Sequence, residues 1–461
     1  MAGAVALTLP LWLSLEGLSL GGHIALGIFL MAAIFWITEP IPIYATSLLV
    51  IALQALLLSS EGILVAFSES PPPIDPVPYT RFIGTLANPI IILFLGGFLL
   101  AAAAVRYELE RNLTRIFLRP FGNSPRNILL GMMLVTALLS AFMSNTATTA
   151  MMMTVVLPLI RQLPDGDRFR VGLALCIPIA ANIGGIMTPI GTPPNAIVIA
   201  ALAERGYSIP FGVWMALTTP FVLLLMGIVW FALLRFFPCA KKSIELDLTG
   251  RFQRSPKAIA LYLIFGATVI LWVTEAWHGL SSSLVALLPI AGLTACRVVD
   301  KPEIRGLPWE VLWLVAGGIS LGISMRDTGL AAWLIGGVPW GALGAIGLFV
   351  VFGLVSVIFS NFLSNTVTAT LVIPLAIGLS LSGGLPGDLV LLEIGLMIAV
   401  ACSLGMALPI STPPNAIAYS TGLVQTKDLA KMGIFIGAVG IVLALVAALL
   451  YWPLILNTLI G

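Results

Sequence analysis

Two short stretches decide how this chain folds: Ser140-Ala141-Phe142-Met143-Ser144-Asn145-Thr146 and, 220 residues later, Ser360-Asn361-Phe362-Leu363-Ser364-Asn365-Thr366. Fifty residues beyond the Asn of each stands a second matched pair, Thr192-Pro193-Pro194-Asn195-Ala196-Ile197 and Thr412-Pro413-Pro414-Asn415-Ala416-Ile417. Gly96-Gly97 and Gly317-Gly318 recur at nearly the same offset, and Trp36-x-Thr38-Glu39 is echoed by Trp272-x-Thr274-Glu275. An ordered set of this kind is an internal repeat.

The setting makes these polar residues conspicuous. The chain has 461 residues, of which 59% are hydrophobic and 9% charged, with a mean hydropathy of +1.09. A soluble domain carries charge on about 25% of its residues. So apolar a chain cannot cover a water-facing surface, and lipid must be its main solvent. The 31 Pro and 45 Gly scattered through apolar runs imply closely packed and interrupted helices. No basic region suits nucleic acid. Cys176, Cys239, Cys296 and Cys402 stand far apart and read as small apolar packing residues. No HExxH or Cys/His set is present, which argues against a membrane enzyme and against an organic cofactor.

Apolar runs mark crossings at 2–20, 22–38, 41–61, 89–105, 212–235, 258–276, 281–296, 310–325 and 432–456, with two interrupted crossings at 172–203 and 388–421. The run 2–20 has no Lys or Arg before it and reads as a first crossing rather than a cleaved signal peptide. Segments 127–160 and 343–380 are too long for one simple helix and carry the SNT motifs midway, so each is expected to be a hairpin that enters and leaves on one side. Eleven full crossings then place the N-terminus inside and the C-terminus outside. Of the 22 Lys and Arg, only Arg81, Arg205 and Arg326 fall outside, a strong positive-inside bias. The expected organisation is an N-terminal helix (1–20), a first repeat (21–236), a cytoplasmic linker (237–257) and a second, inverted repeat (258–461). Arg106 to Arg126, with Leu113, Ile116, Phe117 and Leu118, reads as an amphipathic helix at the cytoplasmic interface.

At a hairpin tip, Ser and Asn oxygens with freed carbonyls suit a small hard cation, while the Asn NH₂ and Thr OH offer donors to an oxyanion. The double prolines remove backbone donors and stop the preceding helix, and the helix that follows starts with free N–H groups suited to an anion. No Arg or Lys lies near these motifs in sequence, which favours compensation by a bound cation. Glu39 and Glu275 read as helix-end groups rather than proton carriers. His23 and His278 signal nothing by themselves, and Met151-Met152-Met153 reads as hairpin packing.

Over nearly its full length, on the paired SNT and TPPN motifs, the chain resembles the divalent anion–sodium symporters, which carry dicarboxylates, citrate or sulfate. The resemblance implies an all-α homodimer whose protomers each have a scaffold domain and an elevator-like transport domain. It implies two or more Na⁺: a first site from Ser140, Ser144, Asn145 and Gly191, and a second from Ser360, the Leu363 carbonyl, Asn365 and Ser411. Substrate carboxylates would meet Asn145, Thr146, Asn365 and Thr366, with Thr192, Thr412 and Pro413 nearby. Ser360 stands where the family often has Thr, Leu363 where a small residue is usual, and Ser411 where Ala is common. The expected function is sodium-coupled transport of a C4-dicarboxylate (succinate, malate or fumarate) in the inner membrane. Sodium-independent dicarboxylate exchange and sodium-coupled sulfate or citrate transport are the alternatives.

Overall fold

The structure is a computed structural model and describes residues 2–13, 15–67, 77–245, 252–336 and 340–460. Its helices of seven residues or more are α1 (Ala2–Trp12), α2 (Leu20–Thr38), α3 (Ile43–Leu57), α4 (Pro89–Arg106), α5 (Leu109–Leu118), α6 (Pro125–Ser140), α7 (Asn145–Arg161), α8 (Phe169–Gly184), α9 (Pro193–Ala203) and α10 (Phe211–Phe236). They continue as α11 (Pro256–Val273), α12 (Leu287–Ala295), α13 (Trp309–Asp327), α14 (Leu330–Gly336), α15 (Gly344–Phe362), α16 (Asn365–Leu381), α17 (Asp388–Leu404), α18 (Pro413–Ser420), α19 (Thr426–Leu450) and α20 (Trp452–Ile460). Among the described residues, seven helices are long and apolar enough to cross a membrane.

Helix ends follow local chemistry. Ser19 caps α2 by accepting from the Gly22 N–H, and Glu39 closes it in a left-handed turn (φ 47°) just before Pro40. Asn88 caps α4 with Pro89 in its first turn, where the missing N–H costs nothing. The repeated Trp-x-Thr-Glu sequences end helices alike. Trp36 Nε1 donates to the Ile43 carbonyl at 3.2 Å and Trp272 Nε1 to that of Ser282 at 2.9 Å, while Thr38 and Thr274 each bond back one turn at 2.7 Å. Glu275 takes the backbone N–H of Phe211 at 3.0 Å and of Ser282 at 3.2 Å, the helix-end role its position suggests.

The first apolar run departs from the expected 2–20. Its helix stops at Trp12, and Gly17 turns the chain with φ 78° before α2 begins at Leu20. Eleven residues rise only about 16 Å, short of a bilayer core. The amphipathic helix also differs from a simple surface lie. In α5, Glu110, Asn112 and Thr114 are buried, whereas Ile116 and Phe117 are exposed. Its polar side faces protein: Thr114 Oγ1 bonds the Glu110 carbonyl at 2.8 Å and touches Met152 of α7.

Around the motifs, each repeat contributes a helix pair and a broken helix. α6 and α7 are joined by the turn 141–144 and pack on α8, which gives way at Gly185–Met187 before α9 starts at Pro193. In the same way α15 and α16 pack on α17, which breaks before α18 starts at Pro413. The short half-helices cross over: α9 packs on α16 and α17, and α18 on α7 and α8. This exchange brings all four motifs to one place. Around them, α13 packs on α3, α9 and α16, and α4 on α12. Arg326 of α13 bonds the Glu204 carbonyl at the end of α9 at 3.1 Å and pairs with Asp327, which also pairs with Arg81.

Candidate functional site

A cavity of about 230 Å³ lies where the repeats meet. Ten of the residues singled out from sequence form its wall: Ser144, Asn145, Thr146, Gly191 and Thr192 from the first repeat, and Asn365, Thr366, Ser411, Thr412 and Pro413 from the second. Ser140, Ser360 and Leu363 stand behind it. The first two are fully buried in helices α6 and α15, while Leu363 sits in extended backbone at the end of α15. The wall also holds residues that motif reading missed, among them Phe94 and Phe98 of α4, Asn182 of α8, and Pro308 and Val311 at the start of α13. Of these, Asn182 had a findable signal, being the one amide in the apolar run 173–187. The two Phe had none.

Among the described residues, the wall contains no acidic or basic side chain. What it offers instead are amides, hydroxyls and the positive dipole ends of α9 and α18. The free N–H groups expected there are not found: each helix opens on two prolines, and the Asn195 and Asn415 N–H groups already donate to the Thr192 carbonyl and to Thr412 Oγ1. Among the described residues no group of three or more His, Cys, Asp or Glu is placed to hold a metal.

The Asn of each TPPN motif holds the broken backbone together. Asn195 Nδ2 donates to the carbonyls of Thr188 at 2.8 Å, Gly185 at 3.1 Å and Ile186 at 3.4 Å. Asn415 Nδ2 donates to those of Met406 at 2.8 Å and Leu408 at 3.0 Å. Both side chains are fully buried, and the carbonyls they serve are ones that the helix break releases. These two residues are structural braces for the site.

Behind the first half of the wall, oxygens crowd together. Ser140 Oγ lies 2.5 Å from Asn145 Oδ1 and 2.8 Å from the Ala181 carbonyl. A hydroxyl has one proton, so it cannot satisfy both acceptors at once. Close by, Gly185 and Gly191 meet so tightly that a Cβ on Gly191 would stand 2.4 Å from the Gly185 carbonyl oxygen. A cluster made of oxygens alone suits a hard cation. In the second half, Ser360 Oγ and Asn365 Oδ1 are buried without a nitrogen or oxygen partner, Ser360 having only the Cys402 thiol near it. Each such oxygen costs about 1–3 kcal/mol when left unpaired. Ser411, which replaces Gly191, spends its proton on the Asn361 carbonyl at 2.8 Å and accepts from the Leu408 N–H at 3.1 Å.

A polytopic α-helical membrane protein with an uncharged, donor-rich cavity between two like halves is a solute transporter in class. The profile of the citrate transporter family matches residues 33–401 and 269–461. The sodium-dependent dicarboxylate transporter SdcS of Staphylococcus aureus (strain USA300) is 31% identical over 479 aligned residues, which cover 95% of this chain and 87% of that protein. SdcS of strain NCTC 8325 / PS 47 matches to the same extent. The chain belongs to the divalent anion–sodium symporter family. Among solved structures, the Alcanivorax borkumensis YdaH transporter superposes with a TM-score of 0.52 at 14% identity, covering 82% of this chain and 89% of that one. That likeness concerns the fold alone. The protein is thus a multi-pass inner-membrane transporter with no catalytic function.

Proposed function

We propose that the protein carries a C4-dicarboxylate such as succinate, malate or fumarate across the inner membrane together with sodium. The observation that carries this reading is the uncharged cavity wall beside buried, unsatisfied oxygens. Donors from Asn145, Thr146, Thr192, Asn365, Thr366 and Thr412 receive the two carboxylates, aided by the positive dipole ends of the helices that start at Pro193 and Pro413. Hydrogen bonds and dipoles do not neutralise a dianion, so its charge is balanced by Na⁺ bound at the oxygen clusters behind the same residues. Ser140, Ser144, Asn145 and Gly191 form one cluster, with the Ala181 carbonyl added. Ser360, Leu363, Asn365 and Ser411 form the other, where the Ser411 hydroxyl is already engaged and its carbonyl is the free ligand. SdcS, named as a sodium-dependent dicarboxylate transporter, supports the pairing of ion and substrate.

The two repeats lie inverted in the membrane, with the N-terminus cytoplasmic and the C-terminus outside. The pair α6–α7 enters from the cytoplasm, and α15–α16 enters from outside. The hairpins and broken helices form a transport domain that slides as an elevator against a scaffold built on α4 and α13. Two of the three cations on the outer side, Arg81 and Arg326, are tied into ion pairs, which agrees with the charge bias. Two protomers pair through their scaffolds as a homodimer.

Uptake of labelled succinate into proteoliposomes, with and without an inward Na⁺ gradient, tests the central claim. Uptake is expected only with the gradient. Equal uptake in its absence would rule out coupling, and dependence on trapped dicarboxylate instead would identify an exchanger.

A further inference from the structure

The amide of Asn182, on α8 of the first repeat, hydrogen-bonds into the TPPN motif of the second. Its Nδ2 lies 3.1 Å from Thr412 Oγ1 and 3.4 Å from Asn415 Oδ1. The direction of every bond in this chain is fixed from its far end. The Met406 and Leu408 carbonyls can only accept, so Asn415 must present its NH₂ to them. Its Oδ1 therefore faces Asn182, and Asn182 must in turn present an NH₂. Thr412 Oγ1 then accepts from Asn182, and it also accepts the Asn415 backbone N–H at 3.3 Å as cap of α18. Both lone pairs of the hydroxyl are occupied. Its proton has no acceptor among the described residues, and the hydroxyl stands on the cavity wall.

We propose that Asn182 is a positioning residue that locks the Thr412 hydroxyl as a hydrogen-bond donor to a carboxylate in the cavity. A free threonine hydroxyl turns to accept or donate as its surroundings ask. Thr412 has that choice removed before substrate arrives, so its donor is already aimed when the anion enters. The counterpart in the other repeat lacks the device. Cys402 stands at the position matching Asn182, Asn195 Oδ1 is buried without a partner, and Thr192 makes no side-chain capping bond. The two TPPN motifs thus share a sequence and divide the work, the second giving the directional contact.

This rests on the anion-carrier reading above, and the experiment separates the two. Succinate uptake kinetics are measured in proteoliposomes for wild type, Asn182→Ala, Asn182→Asp, Thr412→Val and the double variant Asn182→Ala/Thr412→Val. Asn182→Ala is expected to raise KM about tenfold with a smaller change in kcat, as one oriented donor to a charged group is lost. Asn182→Asp, which keeps the shape, is expected to raise KM further because a carboxylate captures the Thr412 proton. On the Thr412→Val background, Asn182→Ala should add little, since its effect passes through the hydroxyl. Multiplying effects in the double variant, or a wild-type KM in both Asn182 variants, would overturn the proposal while leaving dicarboxylate transport standing. A wild-type protein that takes up no dicarboxylate would instead remove the carrier reading and this proposal with it.

Discussion

Ser140 Oγ has two oxygens within 2.8 Å, whereas Ser360 Oγ, the hydroxyl at the matching position, has no nitrogen or oxygen partner. The same contrast runs through both half-sites. Ile190 is 7% exposed and packs on α4, where a Cβ at Gly97 would lie 3.0 Å from its Cδ1, while its counterpart Ile410 is 79% exposed. Glu110 is buried beside the first hairpin, and residue 330, its match, is Leu. Two segments with one motif therefore occupy two environments, because their partners on the broken helices differ: Asn182 against Cys402, and Gly191 against Ser411. On the elevator reading, such inequality is what a single state of an inverted repeat must show. On that reading the difference in exposure between Ile190 and Ile410 exchanges in the opposite state, whereas the residue differences persist in both.

The comparison breaks most readily at its shared residues. Asn145→Ala and Asn365→Ala should each lower succinate uptake at subsaturating substrate by about 10- to 100-fold, since each amide is assigned to both ion and anion. Wild-type uptake in either variant would remove that half-site from the reading. The serines behind them should separate the halves. In Na⁺-free buffer Ser140→Ala is expected to lower Tm by about 1 °C (roughly 1 kcal/mol), because it deletes a hydrogen bond already made, and Ser360→Ala to leave Tm unchanged or raise it, because it removes an unpaired hydroxyl. Both should shrink the rise in Tm that Na⁺ gives the wild type. A drop of equal size for Ser360→Ala without sodium would show that the two clusters are spent alike.

Exposure offers a finer probe. With Cys239 and Cys296 replaced by Ser, Ile410→Cys should react with a polar maleimide well before Ile190→Cys, and equal rates would contradict that difference in exposure. The smallest effect concerns Glu110, whose carboxyl burial pushes up to about 7. The unfolded chain ionises this group near its ordinary value and the folded protein resists doing so. Stability is therefore highest below about pH 4.5, falls as pH rises towards 7 and levels off above. Glu110→Gln should raise Tm by up to about 1 °C at about pH 8 and by much less at about pH 5, read by thermal unfolding.

The motif geometry was legible because polar residues in an apolar chain stand out, and an equal interval in two halves is hard to produce otherwise. The ten wall residues named from sequence are the outcome. Other features had no local signature. The end of α1 at Trp12 hides inside a run that keeps a leucine at every second or third place to Leu20, where Glu16 and Gly17 hint at the turn. On α5 the burial of Glu110, Asn112 and Thr114 runs against the rule that polar residues seek water, although Arg111 stays exposed, and the neighbouring hairpin explains it. Asn182 bonds a residue 230 positions away, so its role depends on how the half-helices cross. The unequal use of Ser140 and Ser360 likewise comes from packing that their identical letters do not record.

The clamps made by Asn195 and Asn415 have a mechanical consequence. An interrupted helix is commonly pictured as a joint, yet here each interruption is splinted: one side-chain amide grips two or three of the loosened carbonyls. Bending at either break requires those bonds to be given up in a dry interior. The broken helices are therefore stiff elbows, and any large travel of the site must be taken up in the connections that lead into the hairpins and out of the half-helices, at 119–124, 204–210, 340–343 and 421–425, with the elbows riding as part of the load.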